Sequence, residues 1–281
     1  MKRLVIMYVG LIGALNAVGQ DFLSWQYTDR YFSVQLGSGQ TAYFGELNYP
    51  NQIQNGWTHG TLGLEARLLS RIAAKTTIGY YQIKGKDSWA PDSSWQQQRN
   101  LSFTSQNWEW TLQGTYYFRK YRGNYHLRWR IDPYVSAGIG ATFFNPKTEL
   151  EGVSYKLRAI QTEGVDYRKV ALVFPGAVGV KLRINEFINF NIEGSYRYTS
   201  TDYLDDVSNT FPDNYSSELQ ENLSNRKREI EVMNQGAYDE LIEGGRRGNP
   251  RVNDQYLFLN FQLEVFIPNG DGPIFKKPSA Y

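Results

Sequence analysis

Few residues in this chain have both the type and the spacing for catalysis or metal binding. It has two histidines and no cysteine. The missing cysteine excludes a disulfide framework, a thiolate metal site, a cysteine nucleophile and the lipid-bearing cysteine of a lipoprotein. His59 falls in the first long connection and His126 in a basic turn, and neither has a second histidine or a carboxylate at metal-ligand spacing. Thr61, two residues after His59, is a poor stand-in for the serine of a His–Ser pair, and no acid orients it. A loop histidine is the simpler reading. Neither a glycine-rich phosphate loop nor a nucleophile elbow occurs. Asp202, Asp205 and Asp206 crowd the segment TDYLDDVSN at 201–209, where calcium comes to mind. The alternating oxygen ligands and the glycine of an EF-hand loop are absent, so the segment reads as an acidic loop start that caps a turn. The expected catalytic, cofactor and metal sites are therefore none.

One further segment stands out by charge. Phe118–Arg130 reads FRKYRGNYHLRWR, basic with interleaved aromatics. Arg119, Lys120, Arg122, Arg128 and Arg130 are its candidate partner contacts, toward lipid head groups or an acidic protein. The alternative is a solvated turn whose Tyr and Trp sit at a membrane boundary. A formal charge of only +2 gives no reason to expect a nucleic-acid partner.

The elements that carry these residues are strands of period two. Leu172, Phe174, Gly176, Val178, Val180 and Leu182 alternate with Val173, Pro175, Ala177, Gly179, Lys181 and Arg183. Ile188–Tyr198, Tyr256–Ile267, Trp108–Tyr116 and Val135–Phe143 repeat the pattern. Eight such segments are predicted, near 31–38, 61–70, 73–83, 106–117, 132–144, 171–184, 187–199 and 254–267. Most have about ten residues or more, the length a tilted strand needs to cross a bilayer. The connections alternate short and long, with long ones near 40–60, 84–105, 145–170 and 200–253. An up-and-down barrel with short periplasmic turns and long outer loops has that rhythm. A short helix is expected within Glu218–Gln235.

The N-terminus supports export. Lys2 and Arg3 precede an apolar run from Leu4 to Leu15, and Ala17-Val18-Gly19 supplies small residues for cleavage before Gln20 or Asp21. The run is shorter than the roughly 20 residues a transmembrane helix needs. The polar strand face carries Glu65, Arg67, Lys75, Glu109, Lys181, Arg183, Glu193, Arg197 and Glu264. Eight strands leave an interior that side chains fill, so opposite charges would pair inside and no diffusion channel would remain. Trp108, Trp110, Tyr116, Tyr196 and Tyr198 lie on the apolar face toward strand ends, as in an aromatic girdle. The fold class expected is all-β: an eight-stranded antiparallel up-and-down transmembrane barrel in the outer membrane, in contact with its lipids. The expected organisation is a signal peptide over 1–20, a barrel over 21–267 with a long loop at about 200–253, and a periplasmic tail over 268–281.

Several segments together resemble the PorG-like family of outer-membrane barrels. They are GSGQTAYFGELN (Gly37–Asn48), IDPYVSAGIGATFFNPKTEL (Ile131–Leu150), IQTEG (Ile160–Gly164), TDYLDDVS (Thr201–Ser208), and the late RRGNP followed by NDQYLF. The resemblance runs over nearly all of the mature chain and leaves the tail aside. It implies an accessory role in the type IX secretion system, anchoring the periplasmic ring built of PorK and PorN, without a pore and without catalytic residues. Two other functions remain open at this point. One is a surface barrel whose long loops bind a ligand. The other is an outer-leaflet lipid-modifying enzyme, for which His59 is the candidate.

Overall fold

A strand that buries one face and exposes the other must alternate, and here the alternation closes on itself. The structure, a computed structural model, describes residues 31–48, 58–91, 94–120, 128–229 and 245–267. The expected signal peptide and tail, together with Arg122 and His126, lie outside them. The described residues form ten strands: β1 (Phe32–Phe44), β2 (His59–Arg67), β3 (Ile72–Lys86), β4 (Ser102–Tyr117), β5 (Ile131–Phe143), β6 (Lys147–Leu150), β7 (Val153–Lys156), β8 (Val170–Arg183), β9 (Ile188–Thr199) and β10 (Gln255–Ile267). Antiparallel neighbours run β3-β2-β1-β10-β9-β8-β5-β4, and β3 pairs with β4 to complete a closed eight-stranded barrel. The hairpin β6–β7 is an excursion from the third long loop, tied to β4 through Thr104 and Lys147. All eight predicted strands are present, several of them longer than expected at their loop ends.

The register sorts the barrel into two ends. Phe32 pairs with Ile267 and with Ala66, and the short turns 68–71 and 184–187 lie beside them. At the opposite end the strands open into four long connections, 45–58, 87–101, 144–169 and 200–254. Among the described residues the loop end carries three short helices, α1 (Trp95–Arg99), α2 (Leu157–Ile160) and α3 (Glu218–Ser224). Ser94 caps α1 by accepting from the Gln97 amide at 3.2 Å, and Asn100 ends it in the left-handed region at φ 57°. Ser217 caps α3 in the same way through the Gln220 amide at 3.1 Å. This α3 is the helix expected after Glu218.

The outward face is apolar. Leu36, Leu62, Leu64, Ile78, Leu112, Ile139, Leu172, Val178 and Leu263 are exposed around the wall, Leu36 at 65% and Val178 at 64%. Aromatics flank this belt. Near the loop end Tyr80 meets Trp108 at 5.4 Å and Phe44 meets Tyr196 at 5.9 Å. Near the turn end Tyr116 meets Phe118 at 5.8 Å. Trp110 and Tyr198 are exposed on the same face. A soluble monomer does not keep so continuous an apolar surface in water.

The inward face is polar and closed by charge. Among the described residues, Glu65, Glu109, Glu193 and Glu264 face Arg67, Lys75, Lys181 and Arg197, all buried. Lys181 lies 2.9 Å from Glu65 and 2.8 Å from Glu264. Lys75 lies 2.6 Å from Glu193, and Arg197 lies 3.3 Å from Glu109. Lys75 stands directly opposite Glu65 in the β2–β3 register, yet its ammonium pairs with Glu193 on β9. The ion pairs therefore cross the lumen and tie opposing walls. Neutral donors complete them: Ser33 to Glu264 at 2.6 Å, Gln35 to Glu65 at 3.0 Å, Tyr134 to Glu193 at 2.8 Å, and the hydroxyls of Tyr117 and Tyr256 to Glu65 and Glu109. A Cβ on Gly179 would meet the Tyr134 ring at 2.5 Å, so glycine lets that ring lie over β8 and reach Glu193 on β9. Arg183, expected on this face, is half-buried at the turn end and donates to the Arg128 carbonyl at 3.0 Å.

Candidate functional site

Above the ionic layers the loop end is sealed by an apolar cluster that includes Tyr43, Leu47, Ile83, Phe103, Phe144, Val173, Leu204, Val207 and Phe258. Loops pack on it because the strands deliver them to one place. β1, β10 and β9 are neighbours, so the residues following β1, following β9 and preceding β10 converge. These residues are Glu46, Asp202 with Asp205, and Asp254.

Glu46, Asp202 and Asp254 each offer a carboxylate oxygen, and the three lie within 4.8 Å of one another. Asp254 is fully buried and fixed from two sides: Tyr43 donates to Oδ1 at 2.5 Å and the Leu204 amide to Oδ2 at 2.8 Å. Glu46 is fixed on one oxygen, Oε1, by the Asn249 amide at 3.0 Å. Its Oε2 is buried without a hydrogen-bond partner. Asp202 is 7% exposed and both of its carboxylate oxygens lie buried without a hydrogen bond of normal geometry. Asp205 sits beside the three; Oδ1 accepts from the Val207 amide at 2.9 Å, and Oδ2 has no partner. Gly45 allows this convergence, since a Cβ there would run into Asp254 Oδ1 and the Tyr43 ring.

The electrostatics are strained. Burial, with Asp202 adding to it, pushes the Glu46 carboxyl up to about 7. Burial takes Asp202 to about 8, against a modest lowering by the nearby Ser208 hydroxyl. Asp205 and Asp254 are held well above the usual carboxylate range by burial and by acidic neighbours. Among the described residues no cation forms an ion pair with these carboxylates; Arg99 donates to the Glu46 carbonyl at 3.4 Å, and its charge lowers Glu46 and Asp205 from a distance. Arg99, set in place by α1, makes two 2.7 Å bonds to Asp87 and donates to the Arg247 carbonyl. Arg247 pairs with Glu163 at 2.9 Å and approaches Asp206 at 3.7 Å. A cavity of about 440 Å³ opens against Glu46, with Arg99, Arg246, Asn249 and Gln255 among its walls.

The aspartates that the sequence singled out therefore divide. Asp205 caps a turn, as expected, and Asp206 binds Tyr167 at 2.6 Å and Thr162. Asp202 does neither; it joins two carboxylates that sequence reading passed over, Glu46 and Asp254. His59 was expected in a loop. It is the first residue of β2, buried in the lumen and stacked on Phe258 at 4.5 Å. Its phase with Thr61 and Glu65 on the lumen face was the available signal.

At the turn end the basic candidates also divide. Arg119, Lys120 and Arg130 are exposed. Arg119 donates to the Ile131 carbonyl at 2.8 Å and lies 5.0 Å from the Trp129 ring centre. Arg128 is turned inward: it donates to the carbonyls of Glu186 and Asn185 and to Asn189, and covers the Phe266 ring at 3.7 Å. Its guanidinium closes the turn end of the lumen and is not presented at the surface.

Solved outer-membrane proteins show similar folds at low identity. Neisserial surface protein A is 11% identical, with a TM-score of 0.41, over 83% of this chain and 96% of that one. The attachment invasion locus protein of Yersinia pestis is 7% identical, with a TM-score of 0.42, over 85% and 99%. A major outer membrane protein from Thermus thermophilus is 12% identical, with a TM-score of 0.42, over 85% and 99%. None of the curated proteins matches the chain. The model of a domain of unknown function, DUF6089, matches residues 33–230, from the start of β1 into the fourth long loop, and the chain belongs to that family.

Proposed function

We propose that this chain is an integral outer-membrane barrel that serves as a scaffold and not as a pore, an accessory component of type IX secretion. One observation carries the first part: an apolar belt faces outward around a lumen crossed by ion pairs. Only a closed barrel lets strands enter lipid without orphan backbone groups. A lumen filled by Lys75–Glu193, Lys181–Glu65–Glu264 and Arg197–Glu109 leaves no path for solutes. The narrower role is supported by the resemblance of Gly37–Asn48, Thr201–Ser208 and the later segments to PorG-like barrels. Under it, the periplasmic turn end anchors a PorK/PorN-type ring, with Arg119, Lys120, Arg122 and Arg130 as its contacts. No catalytic step is assigned; His59, which an outer-leaflet enzyme would need at the rim, stacks inside the lumen.

Fractionation tests the first part. The mature protein should sediment with outer membranes; recovery in the aqueous periplasm overturns the reading. Val178→Arg should cost about 2–4 kcal/mol in a bilayer, since it puts a cation on the lipid face. Affinity capture in mild detergent tests the second part. Ring components should co-purify with the wild-type chain and be lost when Arg119, Lys120, Arg122 and Arg130 are changed to Glu. Capture of the barrel without ring components sinks the secretion role and leaves the membrane reading intact.

A further inference from the structure

We propose that Glu46, Asp202 and Asp254 hold one divalent cation of the calcium type, which stitches the first long loop to both ends of the fourth. Three independent features of the site point there. The first is the under-satisfied oxygens: Asp202 is 7% exposed with neither carboxylate oxygen in a hydrogen bond of normal geometry, the Ser208 hydroxyl being a nearby donor, and Glu46 Oε2 joins it. Buried polar atoms normally find partners, and an unpaired carboxylate in the interior is costly. The second is preparation. Tyr43 and the Leu204 amide orient Asp254, and the Asn249 amide orients Glu46. Outer hydrogen bonds of this kind fix ligands before the ion arrives. The third is charge. Three carboxylates converge with a fourth, Asp205, at their edge, and no ion pair to them is seen among the described residues; Arg99, paired with Asp87, offsets Glu46 and Asp205 only in part, and both stay raised. Arg246 reaches only the cavity wall and donates to the Gly248 carbonyl at 2.8 Å.

The donor set selects the ion class. Every ligand is a hard carboxylate oxygen, with no His or Cys, which disfavours zinc and copper. Calcium accepts irregular, flexible sets of carboxylate oxygens completed by water, whereas magnesium demands a near-ideal octahedron and is seldom held by protein carboxylates alone. Three loop-borne carboxylates whose oxygens lie within 4.8 Å of one another make such an irregular set, which one ion can span. Waters entering through the cavity beside Glu46 complete the coordination. The consequence is mechanical. Glu46 follows β1, Asp202 follows β9 and Asp254 precedes β10, so one ion locks the mouth at the seam where first and last strands meet. The site stands on its own geometry and does not depend on the secretion role.

The test uses the full mature barrel in detergent, stripped with EDTA. Terbium luminescence excited through tyrosine, and calorimetry with calcium chloride, should report one site with a dissociation constant on the order of 10⁻⁴ M. Magnesium should bind at least tenfold more weakly. Calcium should raise the unfolding temperature, and loop-end protection from protease should rise with it. Asp202→Asn should weaken calcium binding at least tenfold, while Glu149→Gln, an exposed loop carboxylate, should not change it. If Asp202→Asn fails to fold, Glu46→Gln, on the cavity wall, replaces it. Absence of binding to the wild-type barrel overturns the proposal. So does calcium binding that survives both variants, and so does an unfolding temperature indifferent to calcium.

Discussion

Two clusters of carboxylates, buried except for the half-buried Glu46, lie in the same barrel and are treated in opposite ways. In the mid-lumen Glu65, Glu109, Glu193 and Glu264 face Arg67, Lys75, Lys181 and Arg197, and each carboxylate accepts from a cation and from at least one neutral donor. At the loop end Glu46, Asp202, Asp205 and Asp254 gather without an ion pair among the described residues, and Arg99 offsets their charge only in part. The first arrangement is complete in itself; it fills space and ties walls. The second is incomplete. The difference teaches where to look for function in such a fold: the matched charges are structural, and the unmatched ones mark a site.

Removing a cation from the matched region should have the largest effect. Lys181 bridges Glu65 and Glu264, so Lys181→Met leaves two buried carboxylates facing each other. Loss of one partner from a buried pair costs about 3–5 kcal/mol. Urea unfolding of the refolded barrel should show that loss, with a drop in the yield of folded protein. A variant as stable as the wild type would mean that water, not Lys181, balances these acids, and the contrast between the two regions would vanish.

How much of this was legible in the sequence follows from the same contrast. The strand faces were legible because the pleat has period two: Glu65, Lys75, Glu109, Lys181, Glu193, Arg197 and Glu264 were assigned to the lumen, and all are buried there. Their partners were not. Lys75 faces Glu65 in register and pairs with Glu193 across the barrel, a choice set by closure and strand stagger and not by neighbourhood in the sequence. Arg128 read as a surface contact because its basic segment is a turn; only the approach of β10 and the 184–187 turn gives it inward acceptors. The loop-end cluster was hidden for a related reason. Asp202 was noticed for its sequence neighbours Asp205 and Asp206, while its working neighbours are Glu46 and Asp254, each more than 50 residues away. The usable signal was topological. In a closed meander the first and last strands touch, so acids flanking β1, β9 and β10 at one end are spatial neighbours.

A double-mutant cycle sharpens the matched side. Lys75→Met should be costly alone, because it strands Glu193 against Tyr134. Glu193→Gln should be costly in turn. The double variant should recover much of the loss, with a coupling of about 1–3 kcal/mol, because neutral groups of similar size often replace a buried ion pair at little cost. Strictly additive losses would show that the pair is not a unit and would weaken the claim that these bonds lock opposite walls.

The smallest effect should also have the opposite sign. Asp205 borders the three converging carboxylates, and its Oδ1 accepts from the Val207 amide, a bond an asparagine keeps. Asp205→Asn removes a charge from a region with too much of one sign. In EDTA it should raise stability, because burial and the neighbouring Glu46 hold the Asp205 carboxyl well above its ordinary range and an asparagine carries no such cost. The gain should shrink when calcium is present, because a bound cation already offsets the same repulsion. Glu193→Gln, the matching acid-to-amide change in the mid-lumen, should destabilise under both conditions. Unfolding curves of the two variants with and without calcium therefore separate the regions by sign. If Asp205→Asn destabilises the barrel as Glu193→Gln does, the loop-end acids are as well matched as those below them, and the case for a cation there falls.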